Sequence, residues 1–273
     1  MTDRRKQNIP LPLIVIAVGV LVLIVVLFLT LGGAADDQIA LDQVQQGKDY
    51  LASLEQKDPS VVKEIRKQIF QEDVAEQRET LTQQLLNGEV DPFSLFKDYA
   101  LLGDSRAVGF WYRNFLDQDR VLADGGNTIR YIPGWYEELQ ELNPSYIFLC
   151  YGLNDCSIGF WSEGEDYAAE YIEYVQVLQE MLPEATIVVS SILPAQERAF
   201  KQSSRWKRIP DWNIALEKAC EENGILFANC DMLYDEHSNL WDQDGIHFKE
   251  PLYPYWGSLL IVTALMGGLE YEG

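Results

Sequence analysis

The chain has 273 residues, of which 47% are hydrophobic and 12% aromatic, and it carries 43 acidic against 21 basic side chains for a formal net charge of −22. That composition is enough for one full α/β domain with an appendage, and it excludes a chain disordered throughout. The charge excludes a broad basic face for nucleic acid and a folded surface attracted to anionic lipid.

Arg4, Arg5 and Lys6 precede a stretch from Ile9 to Ala35 with no charged residue, and residues 11–31 are almost wholly apolar. A helix over that run is long enough to cross the roughly 30 Å hydrocarbon core. The basic cluster keeps the N-terminus cytoplasmic and places the rest of the chain outside. The small residues Gly33-Ala34-Ala35 also suit a cleavage site. The apolar run is longer than the ~7–15 residues of a signal peptide, so an uncleaved single-pass anchor over 1–35 is the reading adopted.

Residues 36–92 are polar, with Leu41, Val44, Leu51 and Leu54 and then Val61, Ile65, Ile69 and Val74 at helical spacing around a break at Asp58-Pro59-Ser60. Proline after aspartate suits a helix start, and Asn87-Gly88 a helix end. The expectation is a helical stalk or linker. A dimerising coiled coil is the alternative, but the heptad is too short to support it.

From residue 93 to 273 the pattern alternates. Strands are predicted at 99–102, Val121–Ala123, Tyr146–Tyr151, Thr186–Ile192 and Ile225–Ala228, and helices at Pro133–Leu142, Glu165–Leu182, Asp211–Asn223 and Tyr253–Met266. This is the pattern of an α/β domain with about five parallel strands and helices on both faces. The apolar run Leu259–Val262 is far too short for a second membrane span.

Four loops in this domain carry chemistry-bearing residues. Ser105 sits in Gly103-Asp104-Ser105-Arg106, where a strand gives way to a helix, and a helix N-terminus offers free N–H groups to an oxyanion. The others are Gly125-Gly126-Asn127-Thr128, Gly152-Leu153-Asn154-Asp155 and Asp244-Gly245-Ile246-His247. A serine hydroxyl needs a base to become a nucleophile. His247 is the candidate base and Asp244 the group that orients it. The Ser105 and Gly126 N–H groups and the Asn154 amide are candidate oxyanion donors, with Gly125 the alternative to Gly126. Asp104 and Asp155 read as loop braces. Arg106 has two readings, shaping a polar substrate site or pairing on the surface.

His237 reads as an exposed loop histidine, and a metal held by Asp235, Glu236, His237 and Asp242 is not favoured. No metal and no cofactor is expected. Trp111, Tyr112, Trp161 and Trp241 lie near the motif loops, where they either stack on sugar rings or pack the core. Cys150, Cys156, Cys220 and Cys230 form no C-x-x-C pair, which leaves disulfides or buried free thiols.

Gly103-Asp104-Ser105, Gly126, Gly152-x-Asn154-Asp155 and Asp244-x-x-His247, in this order, resemble the four blocks of the SGNH (GDSL-type) hydrolase family. The resemblance spans roughly residues 99–266. Arg106 departs from it, standing where the name-giving motif has leucine. The resemblance implies a flavodoxin-like three-layer α/β/α sandwich and a serine esterase with a Ser105-His247-Asp244 triad and an oxyanion hole that includes Gly126 and Asn154. With the predicted location, it implies removal of short acyl groups, acetyl above all, from carbohydrate or cell-envelope substrates. The alternatives are an O-acetyltransferase using the same triad with a membrane partner as donor, and a non-catalytic glycan-binding domain. A lipase is less favoured because no long apolar lid segment is visible.

Overall fold

The structure is a computed structural model that describes residues 44–45, 47–49 and 76–267. The predicted anchor and most of the predicted stalk lie outside the described residues. Among the described residues, no helix is long and apolar enough to cross a membrane. The chain divides into two compact units, Met1–Glu72 and Asp73–Gly273. In the first, the described residues are helical.

The second unit is a five-stranded sheet: β1 (Tyr99–Gly103), β2 (Val121–Ala123), β3 (Tyr146–Cys150), β4 (Thr186–Ser190) and β5 (Leu226–Ala228). Its order is β2-β1-β3-β4-β5 and every pairing is parallel, with Leu101 opposite both Val121 and Phe148, and Val188 opposite both Phe148 and Leu226. This is the flavodoxin-like order, in which the chain reverses its winding between β1 and β3.

The central strands read as unbroken apolar runs because both faces are covered. Side chains alternate along a strand. Ala100, Leu102, Ile147, Leu149 and Val189 therefore enter one core, and Leu101, Phe148, Cys150 and Val188 the other. The first core is closed by α4 (Gly164–Met181), through Tyr167, Tyr171 and Val175, and by α5 (Ile209–Glu222), through Trp212 and Leu216. The second is closed by α1 (Ser105–Tyr112) and α7 (Leu252–Gly267). Helical residues 76–86 pack there too: Leu85 is buried, Ser258 Oγ donates to its carbonyl at 3.2 Å, and Arg78 donates to the Leu265 carbonyl at 3.2 Å.

The remaining helices are short: α2 (Tyr136–Leu142), α3 (Leu153–Ile158) and α6 (Met232–His237). The last two escape the sequence reading because six residues complete fewer than two turns, too few for an apolar stripe to repeat.

Close packing where β1 meets α1 requires Gly103. A Cβ there would lie 2.4 Å from Ala107 Cβ and 2.7 Å from the Cys150 carbonyl oxygen, whereas one at Gly134 would meet nothing within 4 Å. Gly103→Ala is expected to lower stability by about 1–3 kcal/mol, the usual cost of overpacking, and Gly134→Ala to leave it nearly unchanged. The midpoints of urea unfolding test the contrast.

Candidate active site

The parallel sheet brings the motif loops to one edge. Ser105 opens α1 at the carboxyl end of β1, and Asn154 lies in the first turn of α3 (Leu153–Ile158) at the carboxyl end of β3, so the two flank the point where the winding reverses. Asp104 is the N-cap of α1, its side chain accepting from the Arg106 N–H at 2.9 Å. Gly152 precedes α3 with φ +127°, and a Cβ there would lie 2.3 Å from Ile192 Cγ1. Only glycine meets both the conformation and the approach.

The loop before α7 supplies the other half. Ser105 Oγ lies 2.9 Å from His247 Nε2, and His247 Nδ1 lies 2.6 Å from Asp244 Oδ2. With the ring proton on Nδ1 and donated to Asp244, Nε2 is free to accept the serine proton. The second carboxylate oxygen, Asp244 Oδ1, accepts the backbone N–H groups of Ile246 at 2.8 Å and His247 at 3.0 Å. Partial burial raises the Asp244 carboxyl, but the bonds from the His247 ring and the two N–H groups outweigh it and hold the group below its ordinary value. An ionised, doubly anchored Asp244 fixes the imidazole tautomer.

The second and third motif loops bond to each other. Gly126 turns at an exposed tip with φ +84°, and the Asn154 amide donates to the Asn127 carbonyl at 2.9 Å. The two loops are joined again beneath, where Asp155 Oδ1 accepts from the Ile129 N–H at 2.9 Å. Asp155 is 0% exposed. Burial pushes its carboxyl up to about 7, against the pull of the Ile129 N–H, and the neighbouring Asp104 adds to the rise. Burial likewise raises Asp104, with the Arg106 charge opposing it.

The sequence profile of the GDSL-like lipase/acylhydrolase family matches residues 101–253, more than half of the chain and all four motif loops. The chain belongs to that family. Among solved structures, a Bacteroides fragilis protein assigned as an acylhydrolase is 18% identical, with a TM-score of 0.52 over 63% of this chain and 87% of its own. A GDSL-like lipase from Bacteroides thetaiotaomicron is 17% identical, with a TM-score of 0.50 over 74% of this chain and 98% of its own. At these identities the likeness is one of fold. No curated protein matches the chain.

Against the family pattern, Arg106 needs correcting most. It neither lines a polar substrate site nor pairs on the surface. It is 3% exposed, and burial pulls its guanidinium down to about 10 despite the opposing Asp104 charge. Its donors go to the backbone carbonyls of Ile246 and Leu193. No sequence signal marked this, because the partners are backbone atoms from remote loops.

His237 also differs from expectation. It closes α6 half-buried, its ring stacked on Tyr255 at 4.0 Å between centroids, with Glu236 at 3.9 Å. Trp161 and Trp241 are core residues, whereas Tyr112 is 71% exposed. All four cysteines are buried free thiols.

Asp155 yields a pH prediction. Unfolded, it titrates near its ordinary value of 3.8, while folded it keeps its proton up to about 7. The native state binds the extra proton between those values, so stability from this group is complete below about pH 4, falls as pH rises, and is lost above about pH 7. Asp155→Asn removes the titration while keeping the acceptor for Ile129. The variant is expected to gain about 2–4 kcal/mol on wild type between pH 4.5 and pH 8, read as the difference between two urea-unfolding series.

Proposed function

We propose that the chain is a serine esterase removing short acyl groups, acetyl above all, from carbohydrate or cell-envelope esters, with its hydrolase domain outside the membrane. In this organisation residues 1–35 form the cytoplasmic tail and anchor, the segment from 36 up to helical residues 76–86 a helical stalk or linker, and 93–273 the hydrolase domain, which takes in helical residues 76–86 through the buried Leu85. The observation that carries the esterase reading is the continuous hydrogen-bond chain from Ser105 Oγ through His247 to Asp244, at 2.9 and 2.6 Å.

Ser105 Oγ forms a bond to the ester carbonyl carbon as its proton passes to His247 Nε2. The carbonyl oxygen becomes an oxyanion held by the Ser105 and Gly126 N–H groups and the Asn154 amide. Collapse breaks the bond to the alcohol oxygen, which leaves with the proton from His247. Water then attacks the acyl-enzyme with the same base, releasing the acid and restoring the Ser105 hydroxyl. Asp244 keeps Nε2 facing the serine throughout.

The carbohydrate part of the proposal draws on the predicted location and on aromatic surface near Asn154. Tyr131 and Phe160 are 56% and 54% exposed. Phe160 lies two residues past the end of the short helix α3 that carries Asn154. The Arg130 guanidinium stacks on Phe160 at 4.5 Å and on Trp161 at 4.8 Å, and its two bonds to Glu170, at 2.8 and 2.9 Å, hold it there. Fixed aromatic faces beside polar groups suit sugar rings.

Hydrolysis of p-nitrophenyl acetate and butyrate by the full chain tests the reaction. Ser105→Ala is expected to abolish turnover, and Asn154→Ala to lower kcat about 10²–10³-fold. An acetate preference supports the short acyl group. Acetyl transfer to a supplied sugar that outruns hydrolysis would replace the hydrolase reading with a transferase one. No turnover from folded protein would overturn both.

Location has its own test. Protease added outside intact cells is expected to degrade the 93–273 portion and leave the N-terminus protected.

A further inference from the structure

Arg106 directly follows the serine, and its side chain is spent on the loop that carries the histidine. Nε donates to the Ile246 carbonyl at 3.0 Å, and the guanidinium carbon stands 4.9 Å from the centre of the Phe248 ring. Ile246 and Phe248 are the residues on either side of His247. A terminal nitrogen donates to the Leu193 carbonyl. The Arg106 carbonyl accepts from Tyr253 Oη at 3.1 Å, so main chain and side chain both fasten to residues 246–253.

Leu193 belongs to the segment after β4, which grips the same turn independently. Gln196 N–H donates to the Gly245 carbonyl at 2.8 Å, Arg198 to the Asp242 carbonyl at 2.5 Å, and Trp241 Nε1 to the Pro194 carbonyl at 2.9 Å. Arg106 thereby joins the serine helix, the histidine loop and the segment after β4 at one buried point.

The energetics argue against a packing role. Among the described residues, no carboxylate lies within ion-pair distance of this guanidinium, and Nη2 has no protein acceptor. Burying a cation in that state costs several kcal/mol, and an aliphatic side chain would fill the space at less cost. What an aliphatic side chain lacks is the rigid planar fork that spans two carbonyls while stacking on a ring. His247 itself is exposed, so core packing does not hold its ring in place.

We propose that Arg106 is a positioning residue, a buried clamp on both neighbours of His247 that sets the imidazole against Ser105. The proposal deepens, and rests on, the reading of His247 as the general base. A displacement of about 1 Å at a reacting group lowers rate on the order of 10²-fold, which sets the size of the expected effect.

The test uses the full chain with histidine-selective isotope labelling. The chain has two histidines, so the imidazole spectrum holds two sets of signals, with His237 as internal reference. Arg106→Leu is expected to lower kcat on p-nitrophenyl acetate about 10–100-fold with KM within about twofold. It is also expected to displace or broaden the His247 Nδ1–H signal while leaving His237 unchanged. Arg106→Lys is expected to restore part of both.

Wild-type kcat together with an unmoved His247 signal would overturn the clamp. So would a raised KM at unchanged kcat, which marks a substrate contact instead. If Arg106→Leu also moves His237, its effect is global. Phe248→Leu, which removes only the ring under the guanidinium, then decides by the same readouts. The two readings fail separately: absent turnover in wild type removes His247 as a base, whereas the His247 signal in the Arg106 variants reports the clamp regardless of activity.

Discussion

A serine hydroxyl and an imidazole have to stand within hydrogen-bond distance for either to do more than solvate the surface. Here the two are 142 residues apart in sequence and 2.9 Å apart in space. Ser105 is placed by β1, a strand paired on both sides up to Gly103 at its carboxyl end. His247 is placed by a loop, and loops are held only by what they touch. Asp244 binds the ring with one oxygen and the loop's own N–H groups with the other, so ring and turn are set by a single carboxylate.

Beneath this edge lie three ionisable side chains removed from water: Asp104, Arg106 and Asp155. Each bonds to backbone, and Asp155 and Arg106 join segments that the sheet alone leaves independent. Asp104 caps the serine helix, Asp155 ties the Asn154 turn to Ile129, and Arg106 ties the serine helix to the histidine loop. In a low-dielectric interior these bonds are strong when made and costly when lost, which suits groups that fix geometry. The consequence is visible in their protonation: burial raises both carboxyls and lowers the guanidinium.

The family profile ends at residue 253, and α7 runs on from there as the cover of the second core. Leu259–Val262 illustrates why an apolar run is ambiguous in sequence. The same residues suit a membrane or an interior, and the neighbours of α7, β4 and β5 on one side and helical residues 76–86 on another, make it interior. Helical residues 76–86 show the reverse case, a segment read as stalk whose Leu85 proves part of that core.

The α/β alternation and the four loops that bear the candidate site were legible in sequence, while the flavodoxin-like architecture was implied by the family resemblance those loops carry. Each rests on a local signal: apolar runs the length of a strand, helices closed by Asn-Pro, proline or glycine, and short motifs in a fixed order. The tertiary structure alone decided how those loops meet. It turned Arg106 from a surface or substrate residue into a buried clamp, stacked His237 on Tyr255, drew Trp161 and Trp241 into the interior, and made α3 and α6 helices of six residues. For the side chains the reason is common: their partners are backbone carbonyls, aromatic rings and loop ends elsewhere in the chain, and a carbonyl carries no side-chain identity from which its partner can be read. The two helices are instead too short for an apolar stripe to repeat.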